Sequence, residues 1–295
     1  MISAGWPAPA KLNLFLHVLG RRADGYHELQ TAYQLIDLAD TLSFRLRADG
    51  AIRRVEGPSS IPDEMDLAVR AARHLQALSG VSMGVDIRII KRIPIQGGLG
   101  GGSSDAATTL IALNELWGLG LGTERLVETS LALGADLPFF VQGRNAWGEG
   151  IGERLAPIEL PQWYYAVVFP GHGISTAEVF QAAELTRNSP RLTIRGFLQA
   201  GGRNDCAAVA AGRYPEVARA LAWLALRGDA RLTGTGSCAF AGFAQRMEAE
   251  AALEELPRGW SGFVAAGLER SPLLERLAME RAERGRVDQW GVAKW

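Results

Sequence analysis

The sequence predicts an α+β protein of two domains. Strand-like and helix-like stretches are mixed along the chain, and a glycine- and proline-rich segment at residues 143–161 separates one such cycle from a second. The chain is 295 residues long and 47% hydrophobic, enough for two modest cores. No fixed-period repeat or low-complexity tract stands out, which argues against solenoids and propellers.

The elements follow from local patterns. Residues 11–18, KLNLFLHV, alternate polar and apolar side chains and read as a half-buried strand. Asp24-Gly25 is a turn pair in front of Tyr26 and His27, which places both rings at a strand edge. Thr41 to Arg47 and Ile52 to Val55 read as strands joined by the Asp49-Gly50 turn. From Asp66 to Leu78 the spacing becomes helical, with Leu67, Ala71, Leu75 and Leu78 on one face and Gly80 as the stop. Val85 to Ile90 is a β-branched strand, then comes a glycine loop and a helix from about Ser104 to Trp117. A further helix spans Thr123 to Leu133. Beyond the junction, Tyr164 to Phe169 reads as a buried strand, the middle is mostly helical, and Arg231 to Gly242 holds a second small-residue stretch. The tail after Ser271 is charged and helical, with two tryptophans. These patterns suggest a division at residues 1–155 and 156–295.

Composition narrows the function. With 31 basic and 32 acidic residues the net charge is −1, which supplies no general field for nucleic acid or an acidic membrane, so any phosphate must be held locally. Cys206 and Cys238 are far apart and form no CxxC, giving no sign of a zinc site or disulfide framework. The start, MISAGWPAPAKLNLFLHV, has no basic leader before an apolar stretch, and no apolar run spans a bilayer. A soluble cytoplasmic protein is expected.

The loop IPIQGGLGGGSSDAAT at residues 93–108 carries the chemistry. Five of the eight residues from Gln96 to Ser103 are glycine. A helix start leaves unpaired N–H groups at the positive end of its dipole, and glycines let a bulky anion reach them, so the loop reads as a phosphate site. Ser103 and Ser104 offer hydroxyls to cap the helix or to meet a phosphate or its metal, and Asp105 lies in the first turn. A Walker A loop is excluded because Ser103, not lysine, follows Gly102, and the GxGxxG dinucleotide fingerprint fails at the same position. GVSMG at residues 80–84 spells GxSxG, but it leaves a helix and enters a strand, the reverse of a nucleophile elbow.

The blocks PAPAKLNLFLHVLGRRADGYHELQT, IPIQGGLGGGSSDAA, LGADLPFF and LTGTGSCAF together resemble the GHMP small-molecule kinases. PAKLNLFL with DGYHELQT narrows the resemblance to the branch that phosphorylates the 2-hydroxyl of a CDP-linked methylerythritol, a step of non-mevalonate isoprenoid synthesis. The resemblance implies ATP as phosphoryl donor, Mg2+, and a two-domain GHMP fold with the active site in the inter-domain cleft. Matched residue by residue, it implies Lys11 and Asp136 as catalytic groups, with Asp136 as general base. It implies nucleotide contacts at Lys91, Pro94, Ile95, Gln96, Gly97, Gly98, Leu99, Gly100, Gly101, Gly102, Ser103 and Ser104. It implies acceptor contacts at Asn13, Tyr26, His27, Asp136, Thr176, Phe180, Gly234, Thr235 and Gly236, with aromatic rings flanking the cytosine. Asn204 and Asp205 also match, without a role, and no residue is named as metal ligand.

The residues support part of this independently. Asp136 sits among Leu133, Ala135, Leu137, Pro138 and Phe139, where an ionised carboxylate needs a partner, and Lys11 is a sensible one. A structural salt bridge, with Asp136 capping the helix before Pro138, is the alternative. Two departures stand out: Gln96 occupies a position usually glycine, and Asp66 one usually asparagine. Rival functions are a GHMP kinase of the homoserine or mevalonate type, which has no pyrimidine to stack, or a non-catalytic nucleotide-binding protein.

Overall fold

The computed structural model describes residues 2–291, with side chains through residue 284. The chain runs β1 (Ile2–Arg21), β2 (His27–Arg47), β3 (Ile52–Glu56), α1 (Leu67–Ser79), β4 (Gly84–Ile90), α2 (Gly101–Leu116), α3 (Thr123–Leu131), α4 (Leu137–Gln142), β5 (Ala146–Gly150) and β6 (Arg154–Pro157). It continues through β7 (Tyr164–Phe169), α5 (Thr176–Gln181), α6 (Ile194–Ala200), α7 (Cys206–Arg213), α8 (Pro215–Ala225), β8 (Arg231–Leu232), β9 (Ala239–Phe243), α9 (Arg246–Ala251), β10 (Ser261–Leu268) and α10 (Pro272–Gly291).

The long strand β2 organises the molecule. Antiparallel β1 covers one edge, while β5, β10 and β4 share the other in succession, at Leu29–Tyr33, Leu35–Ile36 and Thr41–Arg47. β10 then pairs with β7, β7 with β9 and β9 with β8, so the sheet passes from the first half of the chain into the second through β10.

The sequence pattern underestimates both leading strands. β1 begins nine residues before Lys11 and includes Pro7 and Pro9, which an edge strand tolerates. Its register slips between Ser3 and Trp6, Pro9 and Lys11, Asn13 and Leu16, and Val18 and Gly20, so strict alternation is lost even though the pairing persists. β2 joins the expected strand edge at His27 to the expected strand at Thr41–Arg47 without a break, because its middle is buried on both faces.

One core lies between the sheet and α1, α2 and α4, around Trp6, Phe44, Leu75, Ile87, Leu110 and Phe139. A second packs α8 and α9 on β7 and β9 through Val168, Leu224, Ala241 and Ala249. Between them, Leu12, Ile36, Leu99, Val167, Cys238 and Ala265 form a shared cluster. The tail is helical as expected and returns to β1 and α2 in α10; Trp295, one of its two tryptophans, lies outside the described residues. Among the described residues no helix is long and apolar enough to cross a membrane.

Candidate active site

A cavity of about 510 Å3 opens where the glycine loop, β1, β2, α5 and the second small-residue stretch meet. Every residue singled out as nucleotide- or acceptor-binding lines it, apart from Ser104, Tyr26, His27 and Gly236. Pro58, Ile61, Met65, Asp66 and Leu67 form the wall at one end, and Thr31, Tyr33, Thr176 and Phe180 belong to the other.

The glycine loop ends in α2, which starts three residues earlier than its spacing suggests, at Gly101, with Gly100 in the left-handed region as its N-cap residue. The first helical bond runs from Ser104 N–H to Gly100 O at 2.9 Å, so the N–H groups of Gly101, Gly102 and Ser103 precede the helical ladder. No side chain caps this end. The expectation that Ser103 or Ser104 caps the helix is therefore corrected, because the glycines themselves form its first turn. Asp105 accordingly lies beyond that turn.

Not all the glycines serve a ligand. A Cβ on Gly97 would meet Cys238 Sγ at 2.8 Å, one on Gly98 the Thr233 carbonyl oxygen at 2.2 Å, and one on Gly100 the Phe140 ring at 2.8 Å. The protein packs against its own loop at these three positions. Gly102 is different, since its Cβ would meet nothing closer than Leu67 Cδ1 at 3.4 Å, an ordinary contact. Gln96 has φ +57, a left-handed backbone that glycine adopts without strain, which explains why a glycine would suit this position. Its carbonyl accepts the N–H groups of Ile174 and Ser237, at 3.1 and 3.3 Å.

Lys11 and Asn13 alternate on β1 and face Thr31 and Tyr33 on β2, with Asn13 paired to Tyr33 in register. Buried Lys11 donates from Nζ to Asn13 Oδ1 and to Gly98 O, the latter at 2.9 Å, and stands 3.6 Å from Asp136 Oδ2. Burial lowers the Lys11 pKa from its ordinary value, against the opposing pull of Asp136. Asn13 Nδ2 donates to Thr31 Oγ1 at 2.9 Å, and Asn13 N–H to Thr233 Oγ1 at 2.9 Å.

Asp136 holds the N-cap position of α4, with Pro138 in the first turn, yet its side chain makes no capping bond. Instead Oδ1 accepts the Tyr33 hydroxyl at 3.1 Å. The capping alternative is therefore set aside, and the carboxylate, about a third exposed, faces the cavity between Lys11 and Tyr33. Burial raises the Tyr33 pKa well above its ordinary value, and the Asp136 charge adds to this, so Tyr33 remains a hydroxyl donor. Tyr33 has no local signal in the sequence, because the stretch of β2 around it is buried on both faces and its partner Asp136 lies 103 residues away.

Lys91 is clamped by carboxylates, 2.5 Å from Asp40 Oδ2 and 2.7 Å from Asp105 Oδ2. Burial pulls its pKa down, but Asp105 and Asp40 outweigh that and raise it, while burial raises Asp105. Asp66 caps α1, accepting from Ala68 N–H at 2.8 Å, and pairs with Arg54 at 2.6 Å. Asp66 is thus an acceptor already occupied by protein donors.

At the end lined by Thr176 and Phe180, His27 and Phe180 stack on each other at 5.2 Å with planes 23° apart. A base between two rings needs about 7 Å from ring to ring, two contact spacings, so these two cannot flank one as they stand. Tyr26, 60% exposed, is the other ring at this end. Thr176 and Thr235 join α5 to the second small-residue loop through their hydroxyls, 3.1 Å apart. Asn204, singled out without a role, donates to Leu232 O and Gly234 O, both at 2.8 Å, and braces that loop. Asp205 accepts from Val18 N–H at 2.8 Å and Ser189 Oγ at 2.6 Å, outside the cavity.

Comparison with known proteins identifies the family. The model for the GHMP kinases N terminal domain matches residues 66–144, and that for the GHMP kinases C terminal matches residues 183–262. The chain belongs to the GHMP kinase family. It is 57% identical to 4-diphosphocytidyl-2-C-methyl-D-erythritol kinase of Halorhodospira halophila over 92% of this chain and 96% of that one. It is 54% identical to the protein of the same name from Alkalilimnicola ehrlichii over 98% of each. A crystal structure of 4-(cytidine 5'-diphospho)-2C-methyl-D-erythritol kinase superposes with a TM-score of 0.78 at 34% identity, covering 90% of this chain and 99% of that one. Homoserine kinase from Cytophaga hutchinsonii, at 14% identity and TM-score 0.65 over 92% and 94% of the two chains, shares the fold.

Proposed function

We propose that this GHMP kinase transfers the γ-phosphoryl group of ATP to the 2-hydroxyl of 4-diphosphocytidyl-2-C-methyl-D-erythritol. The observation that carries the reading is the Lys11–Asp136–Tyr33 constellation at the cavity wall beside the open N–H groups of α2. Relatives at 57% and 54% identity bearing that substrate in their names support the choice of acceptor over homoserine or mevalonate.

The chemistry follows from position. The N–H groups of Gly101, Gly102 and Ser103 receive the phosphates, and Lys91 and the Pro58–Leu67 wall stand beside the base. Asp136 takes the proton of the acceptor hydroxyl as its oxygen bonds to the γ-phosphorus and the bond to the β,γ-bridging oxygen breaks, releasing ADP. The Lys11 ammonium orients the carboxylate and offsets charge gathering on the transferred group. Tyr33 holds Oδ1, which leaves Oδ2 to receive the proton.

Among the described residues no three His, Cys, Asp or Glu side chains gather as a metal cage. Magnesium would rest mainly on nucleotide oxygens and water, with the Ser103 hydroxyl as a protein oxygen. Ser103 lines the cavity at the start of α2 and fits that use, whereas Ser104 Oγ is buried outside the lining. Bound there, the ion would neutralise the β and γ phosphates. Residues 1–155 form the ATP-binding portion of this proposal and residues 156–295 the C-terminal portion, with α10 returning to the first. The cytoplasm is the proposed location.

Incubating the purified protein with ATP, magnesium and a panel of alcohols, including the CDP-linked one, and following ADP tests the reading. Turnover with homoserine or mevalonate and none with the CDP-linked alcohol would sink it.

A further inference from the structure

Arg187, which the sequence reading passed over, sits beside the pyrimidine end of the site and makes an unusual set of bonds. Its Nε donates to His27 Nε2 at 3.1 Å. Its Nη2 donates to Phe180 O and Ala182 O, at 3.1 and 2.7 Å, and its Nη1 to Leu185 O at 3.1 Å and Ala183 O at 3.4 Å. Its hydrogen bonds thus go to four carbonyls and one imidazole nitrogen, and among the described residues it has no carboxylate within ion-pair distance.

A guanidinium has only donors, so the nitrogen that receives Nε–H must present a lone pair. His27 Nε2 is therefore unprotonated and the ring proton resides on Nδ1. A second ring proton would break that bond and set two cations against each other. Burial, Arg187 and Arg21, the charged groups acting on the ring, all lower the His27 pKa, which agrees with the neutral form. Nδ1 makes no hydrogen bond among the described residues, so its N–H is the ring's one uncommitted polar group. The same guanidinium grips the carbonyls at the end of α5, the helix carrying Phe180, and thereby holds the His27–Phe180 stack.

We propose that Arg187 is a positioning residue that fixes His27 as the neutral Nδ1–H tautomer, making it a donor to the acceptor edge of a cytosine. This deepens the reading above and rests on it. Cytosine offers N3 and O2 as acceptors, whereas uracil carries a hydrogen on N3, so a fixed donor favours the former. A histidine free to choose its tautomer could serve either base.

The test is 15N NMR of the histidine rings at neutral pH, assigned with His27→Gln, combined with steady-state kinetics. The expected wild-type spectrum shows the His27 proton on Nδ1. In Arg187→Met it should move partly to Nε2, and the KM for the CDP-linked acceptor should rise about tenfold, the scale of a lost charge-assisted hydrogen bond, with kcat and the KM for ATP within twofold. Arg187→Lys, which keeps a donor, should recover part of the loss. A wild-type His27 protonated on Nε2, or an acceptor KM unchanged in Arg187→Met, overturns the proposal. An unchanged acceptor KM in His27→Gln would instead refute the base contact of the parent reading, while the NMR result would still stand on its own.

Discussion

The Lys11 ammonium stands 3.6 Å from Asp136 Oδ2 in a site where burial already lowers the lysine's affinity for its proton. At that distance the two groups attract without a direct hydrogen bond, and Lys11 donates to Gly98 O and Asn13 Oδ1 instead. Oδ2 is therefore left open to a reacting hydroxyl. Asp136→Asn should lower kcat by ~10²–10⁴ with ATP affinity nearly unchanged, the loss expected of a positioned general base. Near wild-type turnover would remove Asp136 from the chemistry.

Tyr33→Phe deletes the donor at Asp136 Oδ1 and leaves the ring stacked on Phe139, 4.8 Å away. The variant should fold normally and lose about ten- to a hundredfold in kcat, the scale of one hydrogen bond to a charged group. A KM effect with unchanged kcat would mean that Tyr33 shapes the cavity and does not hold the base.

Gly102→Ala should keep its thermal midpoint and raise the KM for ATP, because the new methyl meets only Leu67 at ordinary contact and lies among the open N–H groups. Gly100→Val is expected to lose stability as well as activity. Its φ is +72, and its Cβ would press on the Phe140 ring and on Lys11 Cε. Comparing thermal melts with nucleotide titrations separates the two effects.

Acidity should act through His27. Its folded pKa lies below its unfolded value of about 6.5, so in that window the unfolded chain binds the extra proton and stability falls as pH drops, levelling off below the folded pKa. The acceptor KM should rise over the same window as the ring gains its second proton. Melting curves and KM profiles of wild type and His27→Gln check this; parallel profiles in the two proteins would contradict it.

Both thiols should be silent in the native state. Cys206 and Cys238 are fully buried, and burial pushes Cys206 up to about 12 and Cys238 higher still. Ellman's reagent should find no fast-reacting thiol before denaturation and two after it.

Much of this was legible from pattern. The turn at Asp24-Gly25, helix α1 with its stop at Gly80, strand β4 and strand β7 lie where spacing put them, because each is local and obeys one period. β2 was half seen, since a strand buried on both faces loses the alternation by which strands are recognised. The start of α2 was missed for the opposite reason: glycine weakens any helical signal, and only the tertiary contacts of Gly97, Gly98 and Gly100 explain their number. Lys11 and Asp136 were found through motif resemblance, whereas Tyr33 and Arg187 act through partners more than a hundred residues away, Asp136 and His27, which no local window contains.

The Gly98 carbonyl takes a hydrogen bond from Lys11 Nζ and another from Thr233 Oγ1, at 3.3 Å, while Cys238 N–H closes on Gly97 O at 3.0 Å. The floor of the cavity is thus a single weld between the glycine loop and the second small-residue loop. Parting the halves like jaws would rupture the Thr233 and Cys238 bonds together, so the two halves are expected to move as one body at this seam.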